Sequence, residues 1–384
     1  MIFGRIKRIF EIVFYALLCY FMPIKKNRIV FSCHSGKGAI ACNSKYICLE
    51  IIKQKLPYEI IWITDKKFAI DNDFKNLKII DNKETFKKMC ALASAKIWVE
   101  NALKSSDYQK GLFKKKNQTY INTWHGSFGI KKMFYDALNF NDKTLWAHFF
   151  KKEIKQIDYM LASTSWEKGI YKTGLNFKGN ILKIGNSRND LFFEDNEKIK
   201  NKILKYFNLD GNKKILLYAP TFRDFRQFRV DIDFLNLKEK LKEKFNQDFV
   251  IFSRTHVEQN NLIKDIECID VTLYPDVQEL LFVSDILISD YSSIMFDFML
   301  LKKPCFVYAP DFEKFSLERG LYYSFEETPF LISLTNEQLQ ENILKFDLDK
   351  YQIKCDDFIK KMNVLNDGVC SKRAVELINK VAKN

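Results

Sequence analysis

Proline and glycine are scarce in this chain, seven and thirteen of 384 residues. No Pro- or Gly-rich linker divides it, and it holds no internal repeat or low-complexity tract. Its nine cysteines stand as singletons, with no CxxC pair and an odd total. That spacing argues against a disulfide framework or a zinc site and suits a reducing, cytosolic setting, where free cysteine packs as a small hydrophobe. A membrane span needs about 20 apolar residues, and the apolar stretch near the N-terminus, Ile12–Met22, has only 11. No small-residue cleavage site follows it, which sets a secretory signal aside. Zinc-finger, RNA-binding and arginine-rich patterns are missing, so nucleic acid is not an expected partner. Dinucleotide and P-loop glycine patterns are missing too; Gly36-Lys37-Gly38 matches neither. No carboxylate cluster has metal-ligand spacing, so no tightly bound metal or cofactor is expected, and a loosely bound Mg²⁺ stays open.

Acidic residues are outnumbered, 48 against 62 basic ones, leaving a net charge of +14. Such a balance suits an anionic membrane surface or a phosphorylated substrate. Six cations flank the short apolar stretch: Arg5, Lys7, Arg8, Lys25, Lys26 and Arg28. It reads either as a helix lying in the membrane interface or as one packed on the first domain. The length suits two domains. Strand and helix patterns alternate throughout, the signature of an α/β protein with parallel sheets. The reading is a membrane-associating segment 1–27, a Rossmann-like domain 28–194 and a second Rossmann-like domain 195–384, both doubly wound and facing a cleft, with C-terminal helices. Ligands of such sheets bind at the carboxyl ends of the strands.

Four segments fall there. Asn122-Thr123-Trp124-His125-Gly126-Ser127, followed by Lys131, ends a strand in a histidine, and neutral imidazole suits a general base. Tyr218-Ala219-Pro220-Thr221-Phe222-Arg223-Asp224 ends one in a hydroxyl and a guanidinium, whose planar fork fits phosphate. Phe252-Ser253-Arg254-Thr255-His256 repeats the strand-end histidine beside an arginine. Ser289-Asp290-Tyr291-Ser292-Ser293 leads into an apolar helix, Ile294–Leu301, with Ser and Asp of the kind that caps helix starts; free N–H groups at such a start can hold a phosphate. Each segment taken alone also fits an ordinary loop: a histidine bonded to backbone, a surface Arg–Asp pair, a well-capped helix.

Taken in order, these segments resemble the CDP-glycerol glycerophosphotransferase family of teichoic acid and capsule synthesis. Gly185 with Arg188-Asn189-Asp190, and Asp297 after the serine turn, add to the likeness, which runs from about Phe31 to about Asp311. The stretch from His125 to Lys131 is one residue longer than the family's pattern and lacks its proline. The resemblance implies a GT-B fold and a peripheral enzyme on the cytoplasmic face of the membrane. It implies transfer of a polyol phosphate, most simply glycerol phosphate, from a CDP-polyol to a hydroxyl of a lipid-linked glycan or capsular polysaccharide, releasing CMP. His125 would then be the base and His256 would assist the leaving group. Arg223, Arg254, Ser289, Asp290, Ser292, Ser293 and Asp297 would surround the donor, with Gly126, Lys131, Arg188, Thr221 and Asp224 as further cleft residues. A nucleotide-sugar glycosyltransferase of the same fold and a nucleotide-sugar 2-epimerase are the alternatives.

Overall fold

The computed structural model describes residues 2–68, 72–194, 197–221, 232–254 and 268–383. They form two compact units. Unit 1 comprises Met1–His125, Phe140–Asp190 and Leu365–Asn384; unit 2 comprises Gly126–Asn139 and Leu191–Val364. The expected division into consecutive segments differs in two places. The chain enters unit 2 just after His125 and leaves it again at Phe140, and its last helix returns to unit 1.

Unit 1 holds a parallel sheet of β1 (Lys25–Ser32), β2 (Glu59–Thr64), β3 (Lys78–Asp81), β4 (Ala95–Glu100), β5 (Thr119–Asn122), β6 (Tyr159–Ala162) and β7 (Asn180–Lys183). Their order is β3-β2-β1-β4-β5-β6-β7. The central strands are apolar on both faces, as helix-covered parallel strands must be. Ile29, Phe31, Trp62, Ile97, Val99 and Ile121 are all buried, and Phe31 stacks on Trp62. The helix α1 (Ile2–Phe21) packs on α2 (Thr85–Ser94). Gly111 lies so close to α1 that a Cβ would sit 2.4 Å from the Ile12 carbonyl oxygen.

Unit 2 repeats the plan with β8 (Lys214–Tyr218), β9 (Phe249–Ser253), β10 (Cys268–Asp270), β11 (Ile286–Ser289), β12 (Cys305–Tyr308) and β13 (Leu331–Ser333), ordered β10-β9-β8-β11-β12-β13 and parallel. In each sheet the winding reverses once, between β1 and β4 and between β8 and β11, and ligands of open α/β sheets bind at that point. The expected C-terminal helices include α3 (Leu348–Lys361) and α4 (Cys370–Lys383). The break at Asn363 and Gly368, both at positive φ, lets α4 turn back onto unit 1.

Candidate active site

At the carboxyl edge of unit 1, β4 ends in Glu100, with Asn101 next in the chain, and β5 ends in Asn122. The Asn122 side chain accepts from the Trp124 N–H at 2.9 Å and donates to the Ala102 carbonyl at 2.8 Å. Asn43 donates to the Thr123 and Trp124 carbonyls at 3.2 and 3.1 Å and accepts from the Arg188 N–H at 3.0 Å. These bonds hold Trp124 at a φ of 53°, a conformation few side chains adopt unaided, and turn His125 outward. His125 Nδ1 lies 2.7 Å from the Asn101 carbonyl oxygen. A carbonyl only accepts, so Nδ1 carries the proton and the basic lone pair is on Nε2. The imidazole stacks on Trp124 at 5.0 Å and meets the His34 ring edge-on at 5.0 Å.

The floor below is a buried ion pair. Lys104 Nζ bonds Glu100 Oε2 and Ser32 Oγ, each at 2.6 Å, and Glu100 Oε1 accepts from the Asn101 N–H at 2.9 Å. Burial alone would push the Glu100 carboxyl up, but the Lys104 ammonium and the hydrogen bonds outweigh it and hold the group below its ordinary value.

Arg188, expected in the cleft, is buried. Asp190, two residues on, accepts from the Cys370 and Ser371 N–H groups at 3.0 and 2.7 Å and so caps α4. At Gly185, φ is 91° and a Cβ would meet Cys370 Sγ at 2.2 Å. The Gly–Arg–Asn–Asp stretch thus ties the last helix to unit 1.

In unit 2, the chain after Gly126 docks by side chain and backbone together. Ser127 Oγ donates to Asp297 Oδ1 at 2.6 Å, Phe128 packs edge-on against Phe296, and the Tyr323 hydroxyl donates to the Phe128 carbonyl. Lys131 is half-buried and bridges Leu321 through backbone. Asp297, expected beside the donor, is buried and spends an oxygen on Ser127. Asp290 is also buried. Its oxygens accept from the Thr221 N–H at 2.8 and 3.0 Å, a clamp across the winding reversal, and Ser289 Oγ donates to the Ala219 carbonyl at 2.6 Å. The helix that follows, Ile294–Met299, has only six residues, and Ser293 makes no side-chain cap bond. The expected capped helix start is therefore not what shapes this turn; Asp290 is. Ser292, Ser293 and Thr221 are half-buried at its rim. Arg254, after β9, donates from Nη1 to the Val271 and Tyr274 carbonyls, both at 2.9 Å, and burial lowers its pKa to about 10. Arg223, Asp224 and His256 lie outside the described residues. Among the described residues no group of three His, Cys, Asp or Glu side chains could hold a metal ion.

Residues 14–380 match the model of the family CDP-Glycerol:Poly(glycerophosphate) glycerophosphotransferase. The chain belongs to this family. It is 32% identical to the teichoic acid poly(glycerol phosphate) polymerase of Bacillus spizizenii W23, over 96% of this chain and 95% of that one. It is 30% identical to the teichoic acid glycerol-phosphate transferase of Staphylococcus aureus NCTC 8325, over 99% and 100%. It spans about half of the Bacillus subtilis 168 polymerase, covering 49% of that relative at 29% identity. A solved structure of the wall teichoic acid polymerase TagF matches with a TM-score of 0.83 and 28% identity, over 99% and 97% of the two chains. A variant of TagF soaked with CDPG matches equally well, at 0.83 and 30% identity, over 97% and 93%. The fold is therefore GT-B-like, and the chain is a transferase of the CDP-glycerol glycerophosphotransferase type. A UDP-N-acetylglucosamine 2-epimerase of Listeria monocytogenes, 13% identical with a TM-score of 0.55 over 92% and 96%, shares the fold alone.

For this glycerophosphotransferase, Asn43, Asn101 and His34 fall outside the segments singled out in the sequence, and Asn122 stands in one without a role. The three asparagines leave no periodic signal. Their common feature is an amide at a strand end or a helix start, where it can bond backbone in both directions. His34 was findable as one of only four histidines, two residues from the glycine-rich turn.

Proposed function

We propose that the chain moves glycerol phosphate from CDP-glycerol to a terminal hydroxyl of a lipid-linked or capsular glycan and releases CMP. The acceptor oxygen bonds to the glycerol-phosphate phosphorus, the bridge to CMP breaks, and the hydroxyl proton passes to His125 Nε2. Donor phosphates lie against Arg254, Ser292 and Ser293, with Arg223 and His256 as further contacts. Ser289, Asp290 and Asp297 hold the loops that present them. Any Mg²⁺ arrives on the donor diphosphate rather than on a carboxylate cage.

The observation that carries the donor assignment is Arg254. It is a guanidinium at the carboxyl edge of the second sheet, anchored by two backbone carbonyls. Asp276 and Asp270 favour its charge from further off. Those carbonyls engage Nη1 alone, and the planar fork of a guanidinium suits phosphate oxygens. Thermal unfolding with CMP and CDP-glycerol tests this. At a hundredfold excess over Kd, a ligand stabilises the fold by about 2.7 kcal/mol. Wild type should shift and Arg254→Gln should not; equal shifts would move the donor site elsewhere.

The membrane is the second part of the proposal. Ile9, Phe10, Val13, Phe14, Leu17, Tyr20 and Phe21 of α1 are exposed along one side, and Phe86 of α2 extends the patch by stacking on Phe14. Among the described residues no helix is long and apolar enough to cross a membrane. An apolar helix face on a chain of charge +14 suits an anionic lipid surface. Not all of the expected flanking cations belong to this surface. β1 begins at Lys25, and Arg28 is buried, bonded to Glu59 at 2.7 Å and to Ser94.

A further inference from the structure

His34 stands directly beyond β1, at the winding reversal of the first sheet, yet the reaction as described does not use it. It has a φ of 47° and Ser35 one of 59°, so two consecutive side-chain-bearing residues occupy the left-handed region. Such conformations persist only where the surroundings enforce them, and they gather at functional sites. The enforcement is visible. The His34 N–H donates to Asn101 Oδ1 at 2.7 Å, and Ser35 Oγ donates to the Leu103 carbonyl. A Cβ on Gly38 would stand 3.1 Å from His34 Cδ2, so a glycine there leaves the ring its place.

One residue positions both imidazoles. Asn101 accepts from the His34 backbone with its side chain and from His125 Nδ1 with its own carbonyl. Because its oxygen is fixed by an N–H donor, its amide cannot flip, and its fully buried nitrogen has no hydrogen-bond partner among the described residues. Neither ring nitrogen of His34 bonds a described residue, so both can meet a bound hydroxyl. The ring is solvent-exposed at the edge of the sheet, 5.0 Å from the His125 ring. Desolvation lowers its pKa against the pull of Glu100, and a neutral imidazole offers one donor and one acceptor.

We propose that His34 is a second substrate-contacting imidazole, which binds the hydroxyl next to the attacking one, so that His125 and His34 together grip a vicinal diol at the acceptor's end. The proposal rests on the reading of His125 as the base on the acceptor side, and it names the acceptor's chemistry: a terminal polyol with adjacent hydroxyls. His125 takes the proton of the attacking oxygen; His34 hydrogen-bonds its neighbour and takes no proton.

The test is CMP release from CDP-glycerol by the full chain with two soluble acceptors, one ending in a vicinal diol and one lacking the non-attacking hydroxyl. His34→Gly removes the ring at a φ that glycine adopts freely. His34→Asn keeps an amide at a φ that asparagine tolerates, and it carries the test if the glycine variant does not fold. His34→Gly should raise KM for the diol acceptor about tenfold with a smaller fall in kcat. It should leave KM for CDP-glycerol unchanged and erase the preference for the diol; His34→Asn should recover part of that preference. A wild-type KM and preference in both variants, or an equal loss on both acceptors, overturns the proposal while leaving the His125 reading in place. No CMP release by wild type overturns the functional reading and this proposal with it.

Discussion

Asn101 shows how much one residue's hydrogen bonds decide. Its carbonyl dictates the tautomer of His125, and the tautomer decides which nitrogen can accept a proton. Removing the imidazole should therefore cost catalysis and not donor binding. His125→Ala is expected to lower turnover by roughly a hundredfold or more, with CDP-glycerol affinity by titration calorimetry unchanged. Near wild-type CMP release from the folded variant would remove His125 from the mechanism. The strand-end position of His125 was legible in the sequence because an apolar run stops just before it. The burial of Asp290 and Asp297 was not. Both read as polar residues near a helix start, and only packing reveals that backbone and serine donors consume their oxygens.

At the scale of the element, β4 carries the site on a buried charge pair. Lys104 and Glu100 are both almost fully buried, and each is the other's main compensation. Breaking such a pair leaves an uncompensated buried charge, at a cost of about 3–5 kcal/mol. Lys104→Met should show that loss in urea unfolding at neutral pH, and adding Glu100→Gln to it should recover part. The acid side follows from the same pair. The folded Glu100 pKa is depressed, so its stabilisation is complete above the unfolded value of about 4.3 and is lost as pH falls through the lower folded value. Wild type should therefore lose stability through that window more steeply than the double variant; parallel pH profiles would show that the pair does not control acid stability. Nothing in the sequence marks Glu100 and Lys104 as partners of Ser32, since the contacts reach β1 from the end of β4 and from the loop after it.

On the whole molecule, charge and the exposed face of α1 act together. Each cation near an anionic surface contributes on the order of 1 kcal/mol, and salt screens it, whereas apolar insertion resists salt. Vesicle flotation should show binding that weakens with salt without vanishing. Replacing Phe10, Val13 and Leu17 with glutamate should abolish the salt-resistant part while the packed side of α1, with buried Cys19, keeps the fold. Flotation undiminished in that triple variant would place the docking surface elsewhere. Deleting residues 1–28 would be a poorer test, because it removes the first half of β1, which starts at Lys25.

The sequence by itself determined the fold class, the two Rossmann-like sheets and the strand ends that carry chemistry. Alternation of apolar strands with amphipathic helices is local, and so is the short motif that ends each strand. The family resemblance was legible for the same reason: its motifs are contiguous. Tertiary structure alone decided which side chains meet. It assigned residues 126–139 to unit 2 and the last helix to unit 1, made Asp190 a cap for a helix that starts 180 residues away, and brought His34 beside His125 across the β1–β4–β5 edge. Those pairings depend on strand order and on where backbone donors are left unpaid at strand ends, which a one-dimensional pattern does not encode.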